Sequence, residues 1–339
     1  MCSSDLIGGA MGLLGTMSAI GTALGPALGG FAIAVLGWPA VFLLGVPGGV
    51  VAFVLAAVAL PADAARPVER RSIDIAGMSL VTVAAGAYAL AVTGAAVAVA
   101  PAILVAASLV ALGLLVLVER HAAAPLVDLA TLARPGLVRS LFANLVVATV
   151  MMATLVVGPF HLSRSLGLDA AAVGLALSIG PVISAATGVV AGGAVDRFGP
   201  EATVRAGLAT MIVGAALLAA TADGFGLAGW VVGLALLTPG YQLFQAANTT
   251  GAMADLPADR RGAVAGLLAL ARNLGLVSGA ALMGTVFALT SGAVDAASAG
   301  AAEVTRGFTA TFALAAVGLA VALAVVVVRR PATLRKSSS

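Results

Sequence analysis

Apolar residues occur along this chain in long runs that are separated by short polar breaks. A helix of about 20 apolar residues crosses the roughly 30 Å hydrocarbon core of a bilayer. The pattern therefore predicts an all-α integral membrane protein with ten membrane-spanning helices. The ten apolar runs lie near residues 8–35, 40–60, 75–95, 99–118, 141–160, 172–194, 202–221, 227–248, 263–289 and 308–328.

Composition supports this prediction and excludes other classes of protein. Of the 339 residues, 61% are hydrophobic and 9% are charged, which cannot supply a water-facing surface. The single Cys2 excludes a disulfide framework or a cysteine metal site within the chain. Zinc-protease, serine-hydrolase and phosphate-loop motifs are also missing from the sequence, so we expect no enzyme activity, no metal and no cofactor.

The charged breaks predict which way the helices run. If the spans alternate in direction, 14 of the 17 Lys and Arg residues fall on one side, Arg164 and Arg306 fall on the other, and Arg272 lies inside a span. Because short cytoplasmic loops hold an excess of basic residues, we predict a multi-pass protein of the cell (inner) membrane with a cytoplasmic C-terminus. The net charge of +3 is dispersed over loop ends, which predicts no nucleic-acid partner.

The first apolar run contains a glycine pattern with a Gly-Pro pair inside it. Generic helix packing would account for isolated glycines, since small residues let two backbones approach closely. A proline within a span removes a hydrogen bond and bends the axis, which favours a conformational role over simple packing. The pattern consists of Gly12, Gly21, Gly25, Pro26, Gly29 and Gly30.

A second pattern, Gly192-x3-Asp196-Arg197-x-Gly199, lies between the sixth and seventh runs. Asp196 is placed to interact with the positive N-terminal end of the next helix, while Arg197 reaches carbonyls or lipid headgroups. Such contacts would form a latch that holds one conformation of a moving protein. The alternative is an ordinary charged turn.

These motifs resemble those of a known family. The glycine pattern of the first run is similar to the antiporter motif in the fifth span of drug-exporting members of the major facilitator superfamily. The Gly192 to Gly199 pattern resembles the loop motif of that superfamily, repeated in its second half. The stretch from Asp255 to Gly279, with Arg272-Asn273-Leu274-Gly275 inside it, resembles the 14-span drug:proton antiporters of the EmrB/QacA type.

The resemblance implies a major facilitator-type helical bundle in which about 10 of 14 transmembrane helices are present and the first four are lacking. Residues 1–6 match the translation of a common sequencing adaptor, and we expect them to be an artefact. Residues 7–60 would then be the last two spans of the N-terminal bundle, and residues 61–140 two linker spans with flanking cytoplasmic loops. Residues 141–328 would form the C-terminal six-span bundle, followed by a basic cytoplasmic tail at 329–339.

The implied function is secondary active transport, namely proton-coupled export of small apolar or amphipathic molecules by alternating access. The expected partners are the lipid bilayer, the substrate and protons, with a proton gradient as driving force, and a monomer is expected. Coupling carboxylates are expected in the lacking spans, because no Asp or Glu lies deep in any of the ten runs. A metabolite exporter or facilitator of the same superfamily, or an inactive fragment or scaffold, are the alternatives. The sequence does not identify the substrate.

Polar residues inside the spans are the candidates for a substrate cavity, since polar groups in hydrocarbon must face protein or water. Helical periodicity places Gln242 and Gln245 of the eighth run on one face, and Tyr241 and Asn248 on a second, adjoining face. Each candidate could instead make an interhelical hydrogen bond or pack, and Arg272 could make a gating contact or extend to the cytoplasmic surface. The candidates are Asn144, Met151, Tyr241, Gln242, Gln245, Asn248 and Arg272.

Overall fold

The computed structural model describes residues 36–37, 39–59, 74–94, 99–121, 129–254, 256–292 and 300–328. Within these ranges there are nine long helices and no strand. The helices are α1 Pro39–Ala59, α2 Ile75–Thr93, α3 Pro101–His121, α4 Pro135–Val156, α5 Ala170–Phe198, α6 Pro200–Thr221, α7 Gly226–Met253, α8 Ala258–Ser291 and α9 Ala301–Val327.

The all-helical prediction is confirmed for the described part of the chain. Eight helices, α2 to α9, are long and apolar enough to cross a membrane, and α1 contributes the shorter apolar stretch Gly45–Ala59. The first predicted run, the glycine pattern from Gly12 to Gly30, Cys2 and the basic tail all lie outside the described residues. The total number of spans therefore stays a prediction.

Helices α4 to α9 pack around a shared core. Helix α7 lies against α5 and α6, helix α9 lies against α6, α4 and α8, and α4 lies along α8. Apolar side chains also cover the outer surface, as a bilayer requires. Large side chains that are fully buried include Met211, Leu237, Phe244, Phe308 and Phe312.

Glycines bring α6 and α7 unusually close together. A Cβ atom placed on Gly214 would lie 2.5 Å from the backbone nitrogen of Leu237, and one placed on Gly240 would lie 2.8 Å from the carbonyl oxygen of Gly207. Pro239, next to Gly240, lies inside the continuous helix α7. Lipid tails are as apolar as the helix surfaces, so no hydrophobic effect drives helices together in a membrane. Close packing at small residues drives their association instead.

The first part of the described chain adds α2 and α3, which pack against each other. The Ser108 hydroxyl donates to the Ala84 carbonyl at 2.9 Å and joins the two helices. Helix α2 also reaches α8, where the hydroxyls of Tyr88 and Ser278 are 2.6 Å apart. This helix pair is therefore attached to the outside of the bundle formed by α4 to α9.

Basic residues from distant parts of the sequence meet at one end of the bundle. Arg139, near the start of α4, donates to the carbonyl of Val328 at the end of α9 at 3.1 Å. Arg260, near the start of α8, donates to the Thr131 hydroxyl at 3.1 Å. At the opposite end the Ser165 hydroxyl donates to the Ala301 carbonyl at 3.2 Å. Alternation of the helices thus places these arginines at the same end of the bundle, while the compartment that this end faces stays a prediction.

Candidate functional site

Asn144 connects α4 to α8. Its side chain is 3% exposed, and its Nδ2 atom donates to the carbonyl oxygen of Leu268 at 2.7 Å. A backbone carbonyl within a helix keeps a second lone pair that a side chain from a neighbouring helix can use. Asn144 therefore makes the interhelical hydrogen bond that the sequence allowed as an alternative to substrate contact.

Asn248 connects α7 to α4 through Ser140. The Ser140 hydroxyl donates to Asn248 Oδ1 at 2.7 Å, and Asn248 Nδ2 approaches the Ser140 carbonyl oxygen at 3.4 Å. Both side chains are buried. Sequence reasoning missed Ser140 because it precedes the apolar run at 141–160. Its position four residues before Asn144, on the same helical face, was the available signal.

Arg272 connects α8 to α7. Its guanidinium and the Gln245 side chain both lie close to the hydroxyl of Tyr241. Tyr241 and Gln245 are partly buried, whereas Arg272 is exposed. These three predicted candidates form one polar cluster.

The resulting geometry is a triangle of helices in which each pair is joined by polar side chains. Hydrogen bonds of Asn144 join α4 to α8, and those of Ser140 and Asn248 join α4 to α7. Between α7 and α8, Arg272 lies close to Tyr241. Five of the seven cavity candidates lie in this triangle.

Two cavity candidates lie elsewhere. Gln242 Nε2 donates to the Ser184 carbonyl oxygen on α5 at 3.2 Å, away from Gln245, with which it was predicted to share a face. Met151 packs, partly buried, against the apolar core of the bundle. Whether any of the seven touches substrate stays a prediction.

Glycines on α8 allow α4 to approach the triangle closely. A Cβ atom on Gly279 would lie 2.5 Å from the Thr149 carbonyl oxygen, and one on Gly275 would meet the Leu145 carbonyl oxygen. The Thr149 hydroxyl donates to the Gly275 carbonyl at 3.0 Å. The sequence Arg272-Asn273-Leu274-Gly275 thus combines a cation facing α7 with a packing contact facing α4.

The motif from Gly192 to Gly199 occupies the end of α5 and its junction with α6. Helix α5 continues to Phe198 and α6 begins at Pro200, so Gly199 alone separates them. Gly199 has φ +78° and ψ 161°, a conformation open almost only to glycine. Asp196 and Arg197 are exposed, and the Arg197 guanidinium lies 5.3 Å from the centre of the Phe198 ring. The proposed latch role of Asp196 stays a prediction.

Comparison with known proteins places the chain among membrane transporters. The chain is 32% identical over 279 residues to the drug efflux pump JefA of Mycobacterium tuberculosis, a match that covers 81% of this chain and 54% of that protein. It is 27% identical over 287 residues to the riboflavin transporter RibZ of Clostridioides difficile, covering 83% and 61%. It is 29% identical over 299 residues to a probable actinorhodin transporter of Streptomyces coelicolor, covering 82% and 50%.

The chain therefore spans about half the length of the curated relatives it matches. The family model described as Major Facilitator Superfamily matches residues 2–280 and residues 140–339. These matches cover the triangle of α4, α7 and α8 as well as the motif between α5 and α6. With eight apolar helices of spanning length in the described residues, the chain belongs to the major facilitator superfamily.

Proposed function

We propose that this chain acts in a secondary transporter that exports small apolar or amphipathic molecules by alternating access. The observation that carries the proposal is the match of the chain to the major facilitator superfamily and to a drug efflux pump, together with polar groups of α4, α7 and α8 inside an otherwise apolar bundle. Polar groups at membrane depth are costly unless they face protein or water, and they commonly mark the path of a substrate.

The names of the relatives support export as the direction of transport. Besides JefA, the matched proteins include the multidrug resistance protein Stp of Mycobacterium tuberculosis, at 27% identity. The multidrug efflux pump LfrA of Mycolicibacterium smegmatis is 26% identical. Within the superfamily we place the chain with the 14-span drug:proton antiporters, on the sequence motifs given above.

A proton gradient is the proposed driving force. The acidic residues of the described spans lie near helix ends, as Asp196 does in α5, Glu201 in α6 and Glu303 in α9. A proton-carrying group must titrate within the membrane and exchange with both sides. We therefore place it outside the described spans.

A second candidate function is export of one specific metabolite. The names of RibZ and of the probable actinorhodin transporter favour it, because each refers to a single compound. The two functions differ in how many unrelated compounds the protein moves.

Dye export from an efflux-deficient bacterial host tests both candidates. Cells that express the protein are loaded with ethidium or N-phenylnaphthylamine, and export is followed as loss of fluorescence after addition of glucose. We expect faster loss than in cells with empty vector, and a protonophore should abolish the difference.

The matched control is Arg205→Gln, which removes an exposed arginine that forms a salt bridge with Glu201 at 2.9 Å. This variant should export as the unaltered protein does. Export of riboflavin without export of either dye would favour the metabolite carrier. Rates equal to those of empty vector for all three compounds, with the protein present in the membrane, would contradict transport.

A further inference from the structure

Helices α5 and α7 lie against each other and are joined at two levels by hydrogen bonds from side chains to the backbone. Near the start of α7, Trp230 Nε1 donates to the Ala176 carbonyl oxygen of α5 at 3.0 Å. Further along α7, Gln242 Nε2 donates to the Ser184 carbonyl oxygen at 3.2 Å. Both bonds advance along the two helices in the same order, so the helices run parallel. The segment between the two bonds therefore has a contact at each end.

Thr238 lies in this segment and buries a hydroxyl that makes no hydrogen bond. Its side chain is 3% exposed, and no described residue pairs with its Oγ1 atom. A threonine within a helix can donate to the carbonyl four residues earlier, as the buried Thr311 does to Gly307 at 2.7 Å. Thr238 instead points to α5, where a Cβ atom on Gly180 would lie 3.7 Å from Oγ1. Because a buried hydroxyl without a partner is destabilising, the described conformation does not account for this orientation.

Helix α5 has an unused acceptor at the same level. Pro181 lies inside α5 and has no N–H, so the Leu177 carbonyl oxygen loses its helical donor. A carbonyl in a helix points towards the residue four positions later, which places the Leu177 oxygen beside Gly180 and Pro181. Helix α7 contains Pro239 next to Thr238. Because prolines are the usual points at which helices bend, both helices can bend at the level of the Thr238 hydroxyl.

We propose that α5 and α7 form a two-state hinge, and that the Thr238 hydroxyl donates to the Leu177 carbonyl oxygen in its second conformation. Bending at Pro181 would bring the donor and the acceptor together, while the bonds of Trp230 and Gln242 keep the helices in contact on either side. An element with two discrete arrangements is what alternating access requires. The inference rests on the proposed transport function and names the pair of groups that biases its two conformations.

Hydrogen–deuterium exchange of the full chain in detergent micelles tests the hinge. Thr238→Val removes the hydroxyl and keeps nearly the same shape. We expect the peptides of α5 that contain Pro181 to exchange about threefold more slowly in this variant, because the bent conformation that opens their amides loses one interhelical hydrogen bond. Thr238→Ser retains the donor and should exchange as the unaltered protein does. Thr311→Val, at a buried threonine that is already bonded, is the matched control and should leave these peptides unchanged.

Resistance to unfolding by dodecyl sulfate, followed by tryptophan fluorescence, is the second measurement. Thr238→Val should unfold at a higher detergent fraction, because the described conformation no longer buries an unpartnered hydroxyl. Thr311→Val loses an existing bond and should not gain resistance. A merely structural role of the Thr238 hydroxyl would instead make its Val variant less resistant.

The acceptor is tested by Pro181→Ala, which supplies an N–H for the Leu177 carbonyl and straightens α5. In that background Thr238→Val should slow exchange no further, because the two changes act on the same bond. An additive effect of the two changes would contradict the pairing. If Thr238→Val does not accumulate, Thr238→Ala takes its place in the exchange measurements.

Unchanged or faster exchange in Thr238→Val overturns the inference, as does a Val variant that unfolds more readily than the unaltered protein. Dye export separates the two proposals. Slower exchange in Thr238→Val, in a protein that exports neither dye, leaves the hinge standing and removes the transport function. Unchanged exchange with intact export removes the hinge and leaves the transport function standing.

Discussion

At the scale of residues, the polar side chains of this protein mostly hold helices together. The side-chain amide of Asn144 bonds to α8, and that of Asn248 bonds to α4, so neither faces an open cavity. Tyr241 instead lies close to Gln245 and to Arg272, whose side chain is exposed. Among the described residues, this second group combines polar side chains with exposure, so we propose it as the stronger candidate for contact with substrate.

Replacement of Asn144 by Leu should lower the free energy of unfolding by about 1 kcal/mol, because interhelical hydrogen bonds in membranes contribute about that much. Unfolding in mixed micelles of detergent and dodecyl sulfate, followed by the fluorescence of the buried Trp230, measures it. Leu155→Met, at a position of the same helix that is 54% exposed, is the control and should change little. An unaltered unfolding curve for Asn144→Leu would mean that the bond to Leu268 adds no stability.

Helical periodicity predicted the relative directions of the polar side chains on α7, but not the helices that they contact. Gln242 and Gln245 were predicted to lie on one face of the helix from their three-residue spacing. In the folded bundle Gln242 donates to the Ser184 carbonyl on α5, while Gln245 lies close to Tyr241 of its own helix. A difference of about 60° around the axis is enough to direct two side chains to different neighbours when a helix packs against several.

At the scale of elements, glycine decides how closely the helices of the site approach. Gly275 and Gly279 lie against the backbone of α4, whereas Gly266, on the same helix, has no atom within 4 Å of the place where a Cβ would be. One helix thus contains glycines with and without a packing role. The close contact allows Thr149 to reach the Gly275 carbonyl.

Gly279→Ala should destabilise the bundle, because its methyl group would lie 2.5 Å from the Thr149 carbonyl oxygen and 2.8 Å from Met152 Cβ. We expect a loss of about 1–3 kcal/mol, in the range of overpacked cores. Gly266→Ala meets open space and should be neutral or slightly stabilising, since alanine favours a helix. The same micelle unfolding measures both variants. Equal stability of the two would show that α4 and α8 can separate at little cost.

Helix boundaries were predicted well where hydropathy changes sharply and poorly where polar residues continue a helix. Helix α8 begins at Ala258 although its apolar run begins near residue 263, and α5 continues to Phe198 beyond residue 194. Charged residues such as Arg260 and Arg197 extend these helices past the apolar stretch. The π-helical turn His161–Ser165 that follows Pro159 was not predicted, because hydropathy carries no signal for it.

At the scale of the whole molecule, the described chain consists of a bundle from α4 to α9 with the pair α2 and α3 attached through Tyr88 and Ser278. The assignment of these parts as the second half and the linker spans of a 14-span transporter stays a prediction. Arginines gather at one end of the bundle, where Arg139 meets Val328. The positive-inside rule predicts that this end is cytoplasmic.

Cysteine labelling measures this orientation. In a Cys2→Ser background, Asp223→Cys lies in the exposed turn between α6 and α7, and Gly136→Cys lies at the exposed start of α4. A maleimide that does not cross membranes should label the first in intact spheroplasts and the second only after permeabilisation. The reverse pattern would place the arginine-rich end outside, and labelling of both in intact spheroplasts would contradict their placement at opposite ends of the bundle.

The sequence alone determined the properties that depend on local composition: the helical class, the approximate position of each described span, the superfamily and the set of polar residues at membrane depth. Hydrophobic length and residue spacing are sufficient for these because each span must satisfy its backbone within itself. Only the tertiary structure decided which polar residues meet, with Ser140 added to the triangle and Gln242 and Met151 removed from it. That outcome depends on helix rotation and on the close approach at glycines, which bring together residues more than 100 positions apart in the sequence.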